Sequence, residues 1–141
     1  MRRYLVVAHQ TLGSAELLEA MRDRLAEGPC TFHLLVPEYH GGSGLTWTEG
    51  KVRAKAIQHL EEGRLRFIAE GLAVTGEVGD ANPVDAVSDV LRREGRNAFE
   101  GVIVSTLPHA ISKWLRLDAP SRIERNTGLA VIHVVGHPVE V

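Results

Sequence analysis

The chain has 141 residues and a formal charge of −2 at neutral pH, with 44% apolar and 24% charged residues. That length suits a single domain, 1–141, with a buried core, and the near-neutral balance argues against nucleic acid or an acidic membrane as main partner. Its only cysteine, Cys30, excludes an internal disulfide.

The first apolar run, Tyr4 to Ala8, reads as a strand. It is too short for a secretory h-region and no small-residue cleavage site follows, so a cytoplasmic location is expected. No segment approaches membrane-span length. Ser14 then caps a helix carrying Leu17, Leu18, Met21 and Leu25 on one face, which Gly28-Pro29 ends. Cys30 to Val36 is the second strand, where the thiol is expected to be buried and inert. The glycine-rich stretch Pro37 to Trp47 reads as a surface loop, with a lid as the alternative.

A long helix follows, roughly Thr48 to Glu70, with Val52, Ala56, Leu60, Leu65 and Ile68 as its apolar stripe and Lys51, Lys55, Glu61, Glu62 and Arg66 solvated. Leu72 to Val78 is the third strand. Asn82-Pro83 opens the third helix as a cap followed by proline, with Val84, Val87 and Leu91 facing the core. Gly101 to Ser105 and Ala130 to Val135 are strands four and five, separated by a short helix from about Asp118 to Asn126 that Gly128 stops. Near-continuous apolar strands alternating with helices predict an α/β fold with a parallel sheet, right-handed crossovers and helices on both faces.

Ligands of such sheets bind outside the carboxyl ends of the strands, where strand order reverses. If the first and fourth strands flank that point, the candidate binding residues are His9, Gln10 and Thr11 on one side and Ser105, Thr106, His109, Lys113 and Arg116 on the other. The same residues also fit a purely structural reading. In it Ser105 and Thr106 end the strand, Pro108 shapes a turn, and Trp114, Leu115 and Leu117 pin the loop to the core. His9, His40 and His109 follow different strands, but no short ligand spacing links them and no metal is predicted. His33, His59, His133 and His137 read as structural or solvated. Thr11-Leu12-Gly13-Ser14 reads as plain N-capping rather than an anion loop. No Gly-x-Ser-x-Gly turn presents a serine. No catalytic residue is assigned, and a hydrolase or transferase using His9 or His109 as base has the least support.

Gly79-Asp80-Ala81-Asn82-Pro83-Val84-Asp85-Ala86-Val87 resembles a Gly-Asp-Pro segment leading into a third helix, and Arg122-Ile123 followed by Leu129-Ala130-Val131-Ile132-His133-Val134 resembles a last helix and strand. Together, over nearly the whole chain, they resemble the universal stress protein family. The resemblance implies a five-stranded parallel sheet in a Rossmann-like three-layer α/β/α sandwich, strand order 3-2-1-4-5. It also implies a stress-response role and a homodimer formed through Ala130 to Val135, where Val131, Val134 and Val135 suit an isologous contact; the alternative is that the tail Gly136 to Val141 covers that edge.

ATP-binding members resemble one another in an acidic residue after the first strand and in Gly-x-x-Gly, nine residues, then Gly-Ser or Gly-Thr after the fourth. Here Ala8-His9-Gln10-Thr11 follows the first strand, and no glycine lies between Gly101 and Gly128. Aligned on Arg122-Ile123, the final Gly-Ser falls on Leu117-Asp118. A carboxylate capping the following helix is expected to take the N–H groups a phosphate needs and to repel it. The expectation is a binding or regulatory domain that does not hold ATP in the family manner. The alternative is ATP or AMP on a rebuilt phosphate site of Thr106, Ser112, Lys113 and Arg116.

Overall fold

The computed structural model describes residues 1–38, 49–109 and 111–137. Strand β1 (Arg2–Val7) leads into helix α1 (Ala15–Ala26), β2 (Cys30–Pro37), α2 (Glu49–Ala69), β3 (Val74–Gly79) and α3 (Pro83–Glu94). A 3₁₀ turn (Arg96–Ala98) precedes β4 (Gly101–Thr106), then come α4 (Lys113–Arg116), α5 (Ala119–Thr127) and β5 (Ala130–Val135). The five strands form one sheet in the order β3-β2-β1-β4-β5, parallel throughout. The expected topology is present. The loop read between Pro37 and Trp47, and with it His40, falls largely outside the described residues.

Alternation along the strands splits the core into two layers. Tyr4, Val6 and Ala8 meet Leu17 and Met21 of α1 and Ala56, Leu60 and Phe67 of α2. Leu5 and Val7 point the other way, onto Val84, Val87 and Val90 of α3 and Ala119 and Ile123 of α5. Cys30 is 4% exposed in the first layer, and burial raises its thiol pKa. The helix starts follow local chemistry: the Ser14 hydroxyl accepts from Leu17 N at 3.2 Å, and Asn82 Oδ1 accepts from Val84 N at 2.9 Å.

Helix α2 departs from its expected register. Val52, Ala56 and Leu60 are buried as read, but Leu65 is 55% and Ile68 44% exposed. The buried stripe continues instead through Gly63 and Phe67. Spacings of four, four, three and four keep these residues on one face of a 3.6-residue helix, whereas Leu65 and Ile68 turn outward. Gly63 lies on that face because a Cβ there would stand 2.5 Å from Leu12 Cδ2. The glycine is a packing residue, invisible to a count of apolar side chains.

The segment before the last strand carries one more helix than expected, the single turn α4, with Ser112 Oγ accepting from Leu115 N at 3.2 Å. Leu117, expected to anchor the loop, is 46% exposed, while Trp114 packs on the second core layer. Along β5 Val131, Ile132 and Val134 are partly covered, and Val135 is 45% exposed. The described part of the tail does not lie over this edge. Gly136 donates to Thr106 O at 2.8 Å, and His137 Nδ1 lies 2.8 Å from Glu16 Oε1 on α1.

Candidate functional site

Strands β1 and β4 are neighbours, with Val7 opposite Val104. Their chains then part: β1 continues through α1 to β2 on one side, and β4 through α4 and α5 to β5 on the other. The divergence opens a cleft above their carboxyl ends. His9, Gln10, Thr11, Ser105, Thr106 and Lys113, six of the eight expected residues, line it. His109 and Arg116 are exposed and are not among its lining residues. Ser112 and Trp114 join the lining from α4 and the turn before it, an element too short to register as a helical pattern.

The cleft is narrow, with a volume of about 30 Å³. Its hydroxyls are already engaged. Thr11 Oγ1 and Ser105 Oγ lie 2.6 Å apart, both residues buried, and Thr106 Oγ1 lies 2.8 Å from His133 Nε2. A hydroxyl in such a pair still has lone-pair capacity for a ligand. The bonds tie the β1 loop to β4, and β4 to β5.

His9 is 5% exposed, and its pKa is pushed down to about 4 by burial first, then by His59 and Lys55. It is neutral at pH 7. Its ring meets that of His59 at a centroid distance of 4.9 Å and a 59° interplanar angle. Burial and Lys55 likewise lower His59. On this side His9 and Gln10 face a second cavity of about 20 Å³, closed by His59, Glu62, Gly63 and Arg66 of α2. The sequence reading left His59 as structural or solvated. No local signal marks it, because a tertiary contact between α2 and the β1 loop brings it to His9.

At the head of α5, Asp118 is not the cap expected of it. It stands at the N-cap position with φ 53°, in the left-handed region, and makes no side-chain cap hydrogen bond. Its carboxylate points toward Arg125, 3.8 Å away. Asp118 therefore does not occupy the helix N–H groups with its side chain, and only its negative charge at that terminus stands against a phosphate.

A third cluster lies on the α3 side of the sheet, where ligand atoms of His33, Glu77 and Glu94 come within 4.8 Å of one another. Two arginines already satisfy it. Arg93 forks onto Glu77 at 3.0 and 2.5 Å, and Arg3 reaches Glu94 at 2.6 Å. His33 bridges Thr75 at 2.7 Å and Glu77 at 2.6 Å. Arg93 first, then His33, hold the Glu77 pKa below its ordinary value. This network stitches β2, β3 and α3 together.

Fold and cleft together define a doubly wound α/β domain with a crevice at its switch point. The architecture is that of the universal stress proteins. One from Archaeoglobus fulgidus matches at a TM-score of 0.58 and 14% identity over 95% of this chain and 93% of that one. A second universal stress protein, crystallised in complex with cAMP, matches at 0.55 and 14% identity over 98% of both chains. No family model matches the sequence, and no curated protein matches it. Among the described residues no helix is long and apolar enough to cross a membrane.

Proposed function

We propose that this domain is a small-ligand or regulatory binding module with the universal stress protein fold, homodimeric through β5, that does not bind ATP in the manner of that family's nucleotide-binding members. The observation that carries the reading is the lining of the small β1/β4 cleft, where Lys113 stands among hydroxyls and apolar side chains and Arg116 stays outside. The loop after β4 has no glycine to bring backbone N–H groups around phosphates. Lys113 supplies the positive charge and Gln10 and Thr106 the polar contacts. The role is binding, and no residue is assigned to catalysis.

A second reading, a nucleotide held by a rebuilt phosphate site in loop 105–118, is favoured by two observations. Asp118 leaves the first N–H groups of α5 untouched by its side chain, and a universal stress protein of the same fold was crystallised with cAMP. One experiment separates the two readings. Freshly purified protein is denatured, the released small molecules are identified by mass spectrometry, and ATP, AMP and cAMP are titrated calorimetrically. The binding-module reading expects no released nucleotide and no binding heat. Micromolar binding that Lys113→Ala weakens would replace it with the second.

A further inference from the structure

We infer that the outward face of α2 is a self-association surface, on which two copies of the chain pair their α2 helices antiparallel. Helix α2 packs on β2 and β3, at the other end of the sheet from β5, so this surface is independent of the function proposed above. Its register gives α2 a second apolar stripe. Ile57 is 50%, Leu65 55% and Ile68 44% exposed. Single exposed apolar side chains are ordinary, but three along one helix face mark a contact surface. Ala54, Ile57, Glu61, Arg64 and Ile68 follow at spacings of three, four, three and four, the a and d positions of a coiled-coil seam, with Leu65 beside them. Ile68 also borders an open groove of about 370 Å³ walled by Phe32, Leu72 and Val74. The apolar surface thus continues past the end of the helix.

The charges in this seam select the occupant and its direction. Within the helix, Arg64 Nη2 donates to Glu61 Oε1 at 2.5 Å. When two such helices run in opposite directions, each a position stands level with a d position of the other. With the two-fold axis between Glu62 and Gly63, Glu61 meets Arg64 of the second copy, and Arg64 meets its Glu61. Ile57 and Ile68 then meet Ile68 and Ile57 of the second copy on either side of the charged layer. At the outer ends Ala54 comes level with Gly71, two small residues that permit close approach. A parallel pair would instead set Glu61 on Glu61 and Arg64 on Arg64, and like charges across an interface reject a partner. The stripe is therefore complementary to its own reversed copy, as an isologous contact requires. Four charges alternate around the axis, each with one opposite neighbour in its own helix and one across the interface.

The patch is small. From Ile57 to Ile68 the helix runs about 16 Å, and it is about 10 Å wide. Its pairing falls below the about 1,200 Å² of buried surface that separates transient from stable interfaces. Association through it is weak and rises with concentration, and the copies separate at the dilution of a sizing column.

The test is sedimentation equilibrium of the full chain from micromolar to millimolar concentration, made in the Val135→Pro background so that pairing through β5 adds nothing. The mean mass should rise reversibly from that of one chain toward that of two. Ile57→Ser should remove the rise, while Leu117→Ser, which changes an exposed apolar residue elsewhere, should keep it. Arg64→Glu and Glu61→Arg each place four like charges in the seam, and each should hold the chain monomeric. Mixed in equal amounts the two variants should form a one-to-one pair, which also shows that both are folded. A mass that stays at one chain up to millimolar concentration would overturn the inference. So would a rise that survives Arg64→Glu, or a mixture of the two charge variants that stays monomeric.

Discussion

His9 shows how one buried side chain links the fold to solution conditions. Its pKa is about 4 in the folded chain against 6.5 for an ordinary histidine. The unfolded chain therefore takes up the proton first as pH falls. The stability tied to His9 is complete above about pH 6.5 and is lost progressively as pH falls toward 4. That gap corresponds to on the order of 3 kcal/mol. Urea midpoints at pH 7.5 and 4.5, measured with chelator present, should differ by less in His9→Leu than in wild type. Equal acid sensitivity in the two proteins would place the liability elsewhere. The neutral histidine was not legible in the sequence: Ala8-His9-Gln10 describes a polar strand end equally well, and burial under α2 is what removes the charge.

Helix α2 illustrates how a correct element can carry a wrong face. Both ends were readable to within a residue of Glu49–Ala69, because charged residues and a regular period mark a long helix whichever side it buries. The face was decided by Gly63, which seats Leu12, and by Phe67, which is 1% exposed. Three substitutions check this register. Phe67→Ala should cost about 3–5 kcal/mol, while Leu65→Ala should stay within about 0.5 kcal/mol. Gly63→Val should cost about 1–3 kcal/mol by overpacking Leu12. A Leu65→Ala protein as damaged as Phe67→Ala would restore the register first expected. By contrast, the start of α3 was legible, since Asn82-Pro83 sets it chemically and needs no tertiary contact to do so; Val84 and Val87 are buried as read, while Val90, not named from the sequence, is buried and Leu91 only partly covered.

At the scale of the whole molecule, β5 is an edge strand of the sheet, and the proposed homodimer would use it. Gly136 donates inward to Thr106, so strand alternation turns the N–H groups of Val131, His133 and Val135 outward. A homodimer through this edge would use those donors. Val135→Pro removes one of them without touching the β4 pairing, a position where edge strands tolerate proline. Light scattering coupled to size exclusion should report a dimer for wild type and a shift toward monomer for Val135→Pro. A monomeric wild type would remove β5 as an interface.

The sequence by itself determined the order of the strands and of every helix but the single turn α4, the caps at Ser14 and Asn82, the buried thiol and most of the residues around the cleft. These follow from period, turn chemistry and the rule that ligands meet a parallel sheet at its carboxyl end, all of which act locally or through topology. Only the tertiary structure decided which face α2 buries, that Asp118 turns away from the helix it precedes, that His109 and Arg116 stand off the cleft, and that His59 meets His9. Each of these depends on the distance between segments remote in the chain, set by close packing, which one-dimensional pattern does not encode.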